Sequence, residues 1–308
     1  MKNNNNNKDD IYRIETINEL NKILEQEKEK HPLVSIVDFS RVKNYDNLLR
    51  KITSGFYSIM LKNSCPNPVK YGRNYYDFQE GTLMFIAPGQ IIEIERGEKE
   101  QESLGWGLFF HPDLIRGTSL FDKMKDFSFF SYDLHEALHL SDDEKLVLGD
   151  IIEKIKIELA RNIDKHSKTL IVSNIELLLN YCTRFYDRQF ITRAEPNKDI
   201  LVRFEEVVSA YFNQDDLMER GIPTVKQCAE KLSLSPNYLS DLLKKETGKN
   251  AREHIQYYLI EAAKNKLLAT SLTVGEIGYE LGFGYPQHFS KLFKSKTGMS
   301  PAEFRNMN

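Results

Sequence analysis

At 308 residues, with 41% hydrophobic and 28% charged residues, the chain has the composition of an ordinary soluble protein with room for two domains. Its net charge of −3 excludes wholesale coating of nucleic acid, but the charge is uneven. From Gly221 onward twelve Lys/Arg stand against eight Asp/Glu, a net of +4, which leaves −7 on the remainder. Three scattered cysteines, Cys65, Cys182 and Cys228, form no CxxC pair and so no disulfide framework or thiolate zinc signature.

The opening MKNNNNNKDD lacks the apolar region of a signal peptide, and no apolar run is long enough to span a bilayer. A cytoplasmic protein with a disordered polar tail is expected. Thr16-x-x-Glu19 caps a helix carrying Ile17, Leu20, Ile23 and Leu24, which ends before His31-Pro32. The texture then changes to short runs rich in branched and aromatic residues: LVSIVDF, FYSIMLK, NYYDF, TLMFIA, IIEIE and GWGLFF. Glu80-Gly81, Pro88-Gly89 and Arg96-Gly97 punctuate them as turns. Many short strands at this spacing predict a small barrel or jelly roll.

Ser141 begins a capped helix with the stripe Leu148, Ile152, Ile155 and Leu159. A second helix, over about 167–185, carries Leu170, Ile171, Ile175, Leu178 and Cys182. The plain reading is that the pair covers the barrel. Residues 193–199, with Pro196 among them, read as a linker, and a helix over 200–212 follows. The fold class is therefore α+β multidomain. Residues 1–192 form a β-barrel with a helical hairpin, 193–199 join, and 200–308 are all-α.

The last third contains an internal repeat. Thr224 and Gln227 form a capping box that recurs as Thr273 and Glu276. Ser235-Pro236 opens a helix with Leu239, Leu242 and Leu243 on one stripe and Gly248 as its stop. Pro286 opens another with Phe289, Leu292, Phe293 and Gly298. Between the boxed helix and the second helix of the later copy stands Gly282-Phe283-Gly284, while the earlier turn is one residue shorter. Helix, tight turn, helix is a helix-turn-helix. Two stable hairpins with no further role are the plain alternative. Against it, both copies keep lysines beside the stripe: Lys244 and Lys245, then Lys291, Lys294 and Lys296. From Ala251 to Thr270 no proline or glycine interrupts, so a helix of about 30 Å separates the copies. That is close to one DNA turn of about 34 Å, as a single bipartite reader requires.

Residues from about 200 to 308, and above all EIGYELGF followed by PQHFSKLFKSKTGMSPAEFR, resemble the DNA-binding domain of AraC/XylS-type transcription regulators. The order EGTLMFIAPGQ then GWGLFFHPDL is similar, more loosely, to the cupin-like sensor domain that precedes such readers. The resemblance implies a regulator that binds double-stranded promoter DNA, pairs as a homodimer through the helices after the barrel, answers a small-molecule effector and, if an activator, contacts RNA polymerase. Two residues depart from the family pattern. Asp241 stands where relatives often place a basic or neutral contact, and Leu259 where arginine is common.

If the leucine and phenylalanine stripes turn inward, Asn237, Tyr238, Asp241, Lys244 and Lys245 of the first copy face DNA or solvent. So do Gln287, His288, Lys291, Lys294 and Ser295 of the second. Glutamine pairs with adenine, lysine donates to guanine or phosphate, and aspartate accepts from cytosine. Between Leu33 and Phe110 there is no histidine, and His135 with His139 has no third ligand, so no metal or other cofactor is expected and no enzyme. This type of reader also occurs fused to methyl-accepting DNA repair proteins, whose cysteine cluster is missing here. The barrel is left with ligand sensing or protein contact: Tyr57, Tyr71, Tyr75, Phe85 and Trp106 are candidates for an aromatic pocket, with Arg73 or Asn74 as polar anchors.

Overall fold

Turn-bounded runs of branched and aromatic residues become strands when a second sheet is available to bury one of their faces. The structure, a computed structural model, describes residues 11–26, 31–42, 51–64, 69–71, 74–76, 81–94, 104–133, 136–192, 194–212 and 217–307. They form two units, one ending at Gln189 and the other beginning at Phe190.

The first unit opens with β1 (Tyr12–Ile14), α1 (Ile17–Ile23), β2 (Val34–Asp38), β3 (Lys51–Ser54), β4 (Tyr57–Ser64), β5 (Val69–Tyr71) and β6 (Asn74–Tyr76). It continues with β7 (Thr82–Ile86), β8 (Ile91–Ile94), β9 (Leu104–Phe110), α2 (Pro112–Ile115), α3 (Ser119–Lys123), β10 (Leu138–His139) and α4 (Asp142–Ala160), and α5 (Ser167–Thr192) follows. The six expected runs coincide with β2, β4, β6, β7, β8 and β9. The strands make two linear ladders, β1-β3-β8-β5-β6 and β10-β7-β4-β9-β2. The closed barrel expected from sequence is thus not found among the described residues. Two sheets enclose one core instead, with Ile14 and Ile52 from the first ladder meeting Val37 and Phe109 from the second.

The second ladder is buried on both faces. Phe109 points into the shared core, while its neighbour Phe110 stacks on Tyr57 at 5.1 Å between ring centres. Phe85 packs on Phe129 at 4.4 Å, and Phe129 on Tyr186 of α5 at 5.4 Å. All five residues of β7 are consequently buried. The end of α5 is pinned to β10. Gln189 accepts from the His139 amide at 2.8 Å and donates to the Ala137 carbonyl at 3.2 Å. Arg188 grips both Glu144 carboxylate oxygens at 2.8 Å and the His139 carbonyl at 2.7 Å.

The second unit is helical among the described residues: α6 (Ala194–Phe212), α7 (Leu217–Arg220), α8 (Val225–Leu232), α9 (Pro236–Thr247), α10 (Ala251–Ala269), α11 (Val274–Glu280), α12 (Pro286–Thr297) and α13 (Pro301–Met307). The linker expected over 193–199 is already helix from Ala194 onward. Pro196 does not break it, because the first turn of a helix needs no donor there. The Asn197 amide, buried in this turn, donates to the Phe190 carbonyl at 2.6 Å and to Glu246 at 3.2 Å.

Candidate nucleic-acid interface

Each reader copy is assembled by local hydrogen bonds that its sequence dictates. In the first, the Thr224 hydroxyl accepts from the Gln227 amide at 3.2 Å and the Gln227 side chain accepts from the Thr224 amide at 2.8 Å. In the second, Thr273 and Glu276 exchange the same pair at 3.2 and 2.7 Å. Hydrogen bonds donated to the carboxylate by Thr273, from its amide first and its hydroxyl second, hold the Glu276 carboxyl below its usual range. Both boxed helices then end in the same αL turn. Leu234 N–H donates to the Ala229 carbonyl and Phe283 N–H to the Gly278 carbonyl, each at 3.0 Å. The left-handed residue is Ser233 (φ 57°) in one copy and Gly282 (φ 84°) in the other. The extra residue of the second copy, Gly284, falls after this turn.

The stripes behave as expected. Leu239, Leu242, Leu243, Phe289 and Phe293 are fully buried, and Leu292 packs partly exposed against the same core. Cys228 and Ile277, at matching positions, are both buried, and burial pushes the Cys228 thiol pKa up, so Cys228 is a small core residue. Helix α10 carries Leu259, Ile260, Ala263 and Leu267 into one core with Ile277, Leu281, Phe289 and Phe293. Leu259 is 1% exposed there, a buried position that suits an apolar side chain.

With the stripes inward, α12 leaves Gln287, His288, Lys291, Lys294 and Ser295 exposed. The Ser295 hydroxyl donates to the Leu292 carbonyl at 2.8 Å, so toward a base it can only accept. On α9, Asn237, Lys244 and Lys245 are exposed and Asp241 is half-buried. Tyr238 corrects the expectation: it is buried, with its ring 5.2 Å from that of Phe190, and does not face DNA. It flanks the leucine stripe, and a partner from another helix draws it inward. One exposed side chain lies outside the set named from sequence. Tyr285 stands immediately before α12, ahead of the first helical turn, where a stripe argument does not reach.

The sensor candidates divide. Phe85 is a core residue of the aromatic cluster. Tyr57 and Trp106 are half-buried, and burial raises the pKa of the Tyr57 phenol. Tyr71, Asn74 and Tyr75 are described as strand backbone only, and Arg73 and His135 lie outside the described residues. Among the described residues no three His, Cys, Asp or Glu side chains come together as a metal site, and no helix is long and apolar enough to cross a membrane.

A family model described as a helix-turn-helix domain matches residues 228–307. Over 93 residues the chain is 38% identical to YesN of Bacillus subtilis, an uncharacterized transcriptional regulatory protein, covering 30% of this chain and 25% of that relative. The chain thus spans about a quarter of that relative's length. A solved structure, the C-terminal domain of AraT, a response regulator from Geobacillus stearothermophilus, is 31% identical, covering 35% of this chain and 85% of that one, with a TM-score of 0.32. The arabinose operon regulatory protein of Salmonella typhimurium is 33% identical over 230 residues, covering 73% of this chain and 74% of the relative. That last similarity is longer than the whole second unit and must extend into the sheet-rich one. The chain belongs to the AraC family of transcription regulators.

Proposed function

We propose that this protein regulates transcription by binding a specific promoter sequence through both helix-turn-helix copies. The observation that carries the reading is the duplicated hairpin itself. Two helices, each with a buried stripe and an exposed polar face, flank a capped 19-residue helix. At 1.5 Å per residue that helix is about 28 Å long, matched to recognition helices in successive major grooves. The base-reading side chains are Asn237, Asp241, Gln287 and His288. Lys244, Lys245, Lys291 and Lys294 contact phosphate or guanine, and Ser295 accepts from a base or backbone donor.

Binding-site selection tests this. Wild-type protein should select one motif spanning about two helical turns. Gln287→Ala should relax it at one or two bases and cost about 1–3 kcal/mol on the selected site. An unchanged motif would remove Gln287 from the base-reading face.

The sheet-rich unit receives the signal in this reading, as a cupin-like sensor for a small apolar molecule that contacts Tyr57, Trp106, Tyr71 or Tyr75. A ligand that stabilises the protein in a thermal-shift screen and also changes its DNA affinity supports this role. Leu146, Ile157, Leu170 and Leu177 are exposed on α4 and α5. They support a homodimer contact there, which sedimentation of the full chain tests.

A further inference from the structure

The two recognition helices begin differently. Before α9 stands Ser235, buried, its hydroxyl accepting from the Tyr238 amide at 3.2 Å. Before α12 the same post is held by Tyr285, which makes no side-chain cap. A tyrosine there gives up the bond that serine, threonine, aspartate or asparagine would supply. Tyr285 is 63% exposed, and its ring lies 5.6 Å from that of His288, nearly edge to face at 68°. The preceding Gly284 is exposed too, and a Cβ added there would meet no atom within 4 Å. The backbone of Tyr285 is extended (φ −139°, ψ 121°) and Pro286 follows, which fixes the direction in which the helix head projects. The position equivalent to His288 in the first copy is Tyr238, buried against Phe190. The first copy thus turns a tyrosine, Tyr238, inward, while the second exposes one, Tyr285, at the post that Ser235 holds in the first.

We infer that Tyr285 is a specificity-determining residue of the second half-site, its ring taking the C5-methyl of a thymine in the major groove beside the base read by Gln287. The inference rests on the proposed DNA-binding function. A recognition helix reaches base edges with its N-terminal residues, where Tyr285, Gln287 and His288 cluster. The thymine methyl is the one apolar group on the major-groove edge, and an aromatic or methyl side chain is what recognises it. Gln287 and His288 are hydrogen-bonding groups and gain nothing from a methyl. Phosphate already has Lys291 and Lys294, both exposed further along the helix. The first copy exposes no such ring, so the two half-sites differ in kind: one holds an essential thymine methyl and the other does not.

The test replaces each thymine of the site selected by the full-length protein with deoxyuridine, which lacks only the methyl. At one thymine of the second half-site the exchange should weaken wild-type binding about four-fold, the worth of one buried methyl. Tyr285→Ala should bind the unmodified site at least that much more weakly and be indifferent to deoxyuridine there. Tyr285→Phe should keep both the affinity and the sensitivity. The inference is overturned if Tyr285→Phe is as weak as Tyr285→Ala, which would make the phenol a phosphate contact. It is overturned equally if Tyr285→Ala keeps the sensitivity, loses nothing, or weakens random DNA by the same factor. A wild-type protein that selects no site would instead sink the DNA-reading proposal itself.

Discussion

His254 stands at the end of a short hydrogen-bond chain. The Thr247 hydroxyl lies 2.7 Å from the Leu243 carbonyl, to which it donates, and 2.7 Å from His254 Nε2, with which it shares a hydrogen bond. The imidazole also sits edge to face on Phe204. Burial, then the charge of Lys249, lowers its pKa, opposed by Glu205 and Glu253. The folded state therefore prefers the neutral ring. This contribution is complete above the ordinary value near 6.5 and declines as pH falls below it, because the unfolded chain takes up the proton first. The repeat supplies its own control, since the matching position is Phe304, whose ring packs on Phe293 at 5.5 Å. Thermal melts between about pH 7.5 and about pH 5.5 should show wild type losing more stability than His254→Phe. Parallel losses would exclude His254 as the source. At this scale the stripe positions of the readers were legible, because spacing alone selects Leu239, Leu242 and Leu243. Tyr238 was not, because whether a flanking residue turns inward depends on Phe190, 48 positions away in sequence.

At the scale of elements, two glycines with the same left-handed backbone serve different ends. Gly298 closes α12 at φ 84°, and a Cβ added there would meet no atom within 4 Å. Gly282 also has φ 84°, but its Cβ would lie 2.8 Å from the Gly221 carbonyl carbon and 2.9 Å from the Leu217 oxygen. Gly298→Ala should therefore cost only the backbone strain, about 1–2 kcal/mol. Gly282→Ala should cost at least about 1 kcal/mol more, because two stretches of backbone must separate. Denaturant unfolding compares them directly, and equal losses would mean that the Gly221 contact yields freely. Gly282 was legible as a turn; its contact with Gly221 was not. Helices bounded by a clear cap and stop, α8, α9, α11 and α12, could be read to within a residue or so from those signals and their stripes. The strands β1, β3, β5 and β10, each of two to four residues, carry too few alternations to announce themselves. The helix over the expected linker was not legible for a different reason: proline breaks a helix interior but is tolerated in a first turn, and sequence does not say which applies to Pro196.

For the whole molecule, charge decides how the reader meets DNA. A chain with net charge −3 is not drawn to DNA as a body, so attraction has to come from a few placed cations. Of the five lysines that the recognition helices expose, Lys296 included, four are placed in the proposed interface: Lys244, Lys245, Lys291 and Lys294. If each neutralises one phosphate, log affinity should fall with log salt at a slope of about −4 per protomer. A slope much steeper than that, with random DNA bound nearly as tightly as the selected site, would describe an architectural protein that coats DNA without choosing sequence. Lys294→Ala sharpens the distinction. In the last turn of α12 its charge is well placed to reach backbone, not base edges. The variant should bind the selected site and random DNA more weakly by similar factors and lower the slope by about one unit. Loss confined to the selected site would make Lys294 a base reader. An unchanged slope would take it out of the interface, and would leave the acidic remainder of the chain opposed by three lysines instead of four.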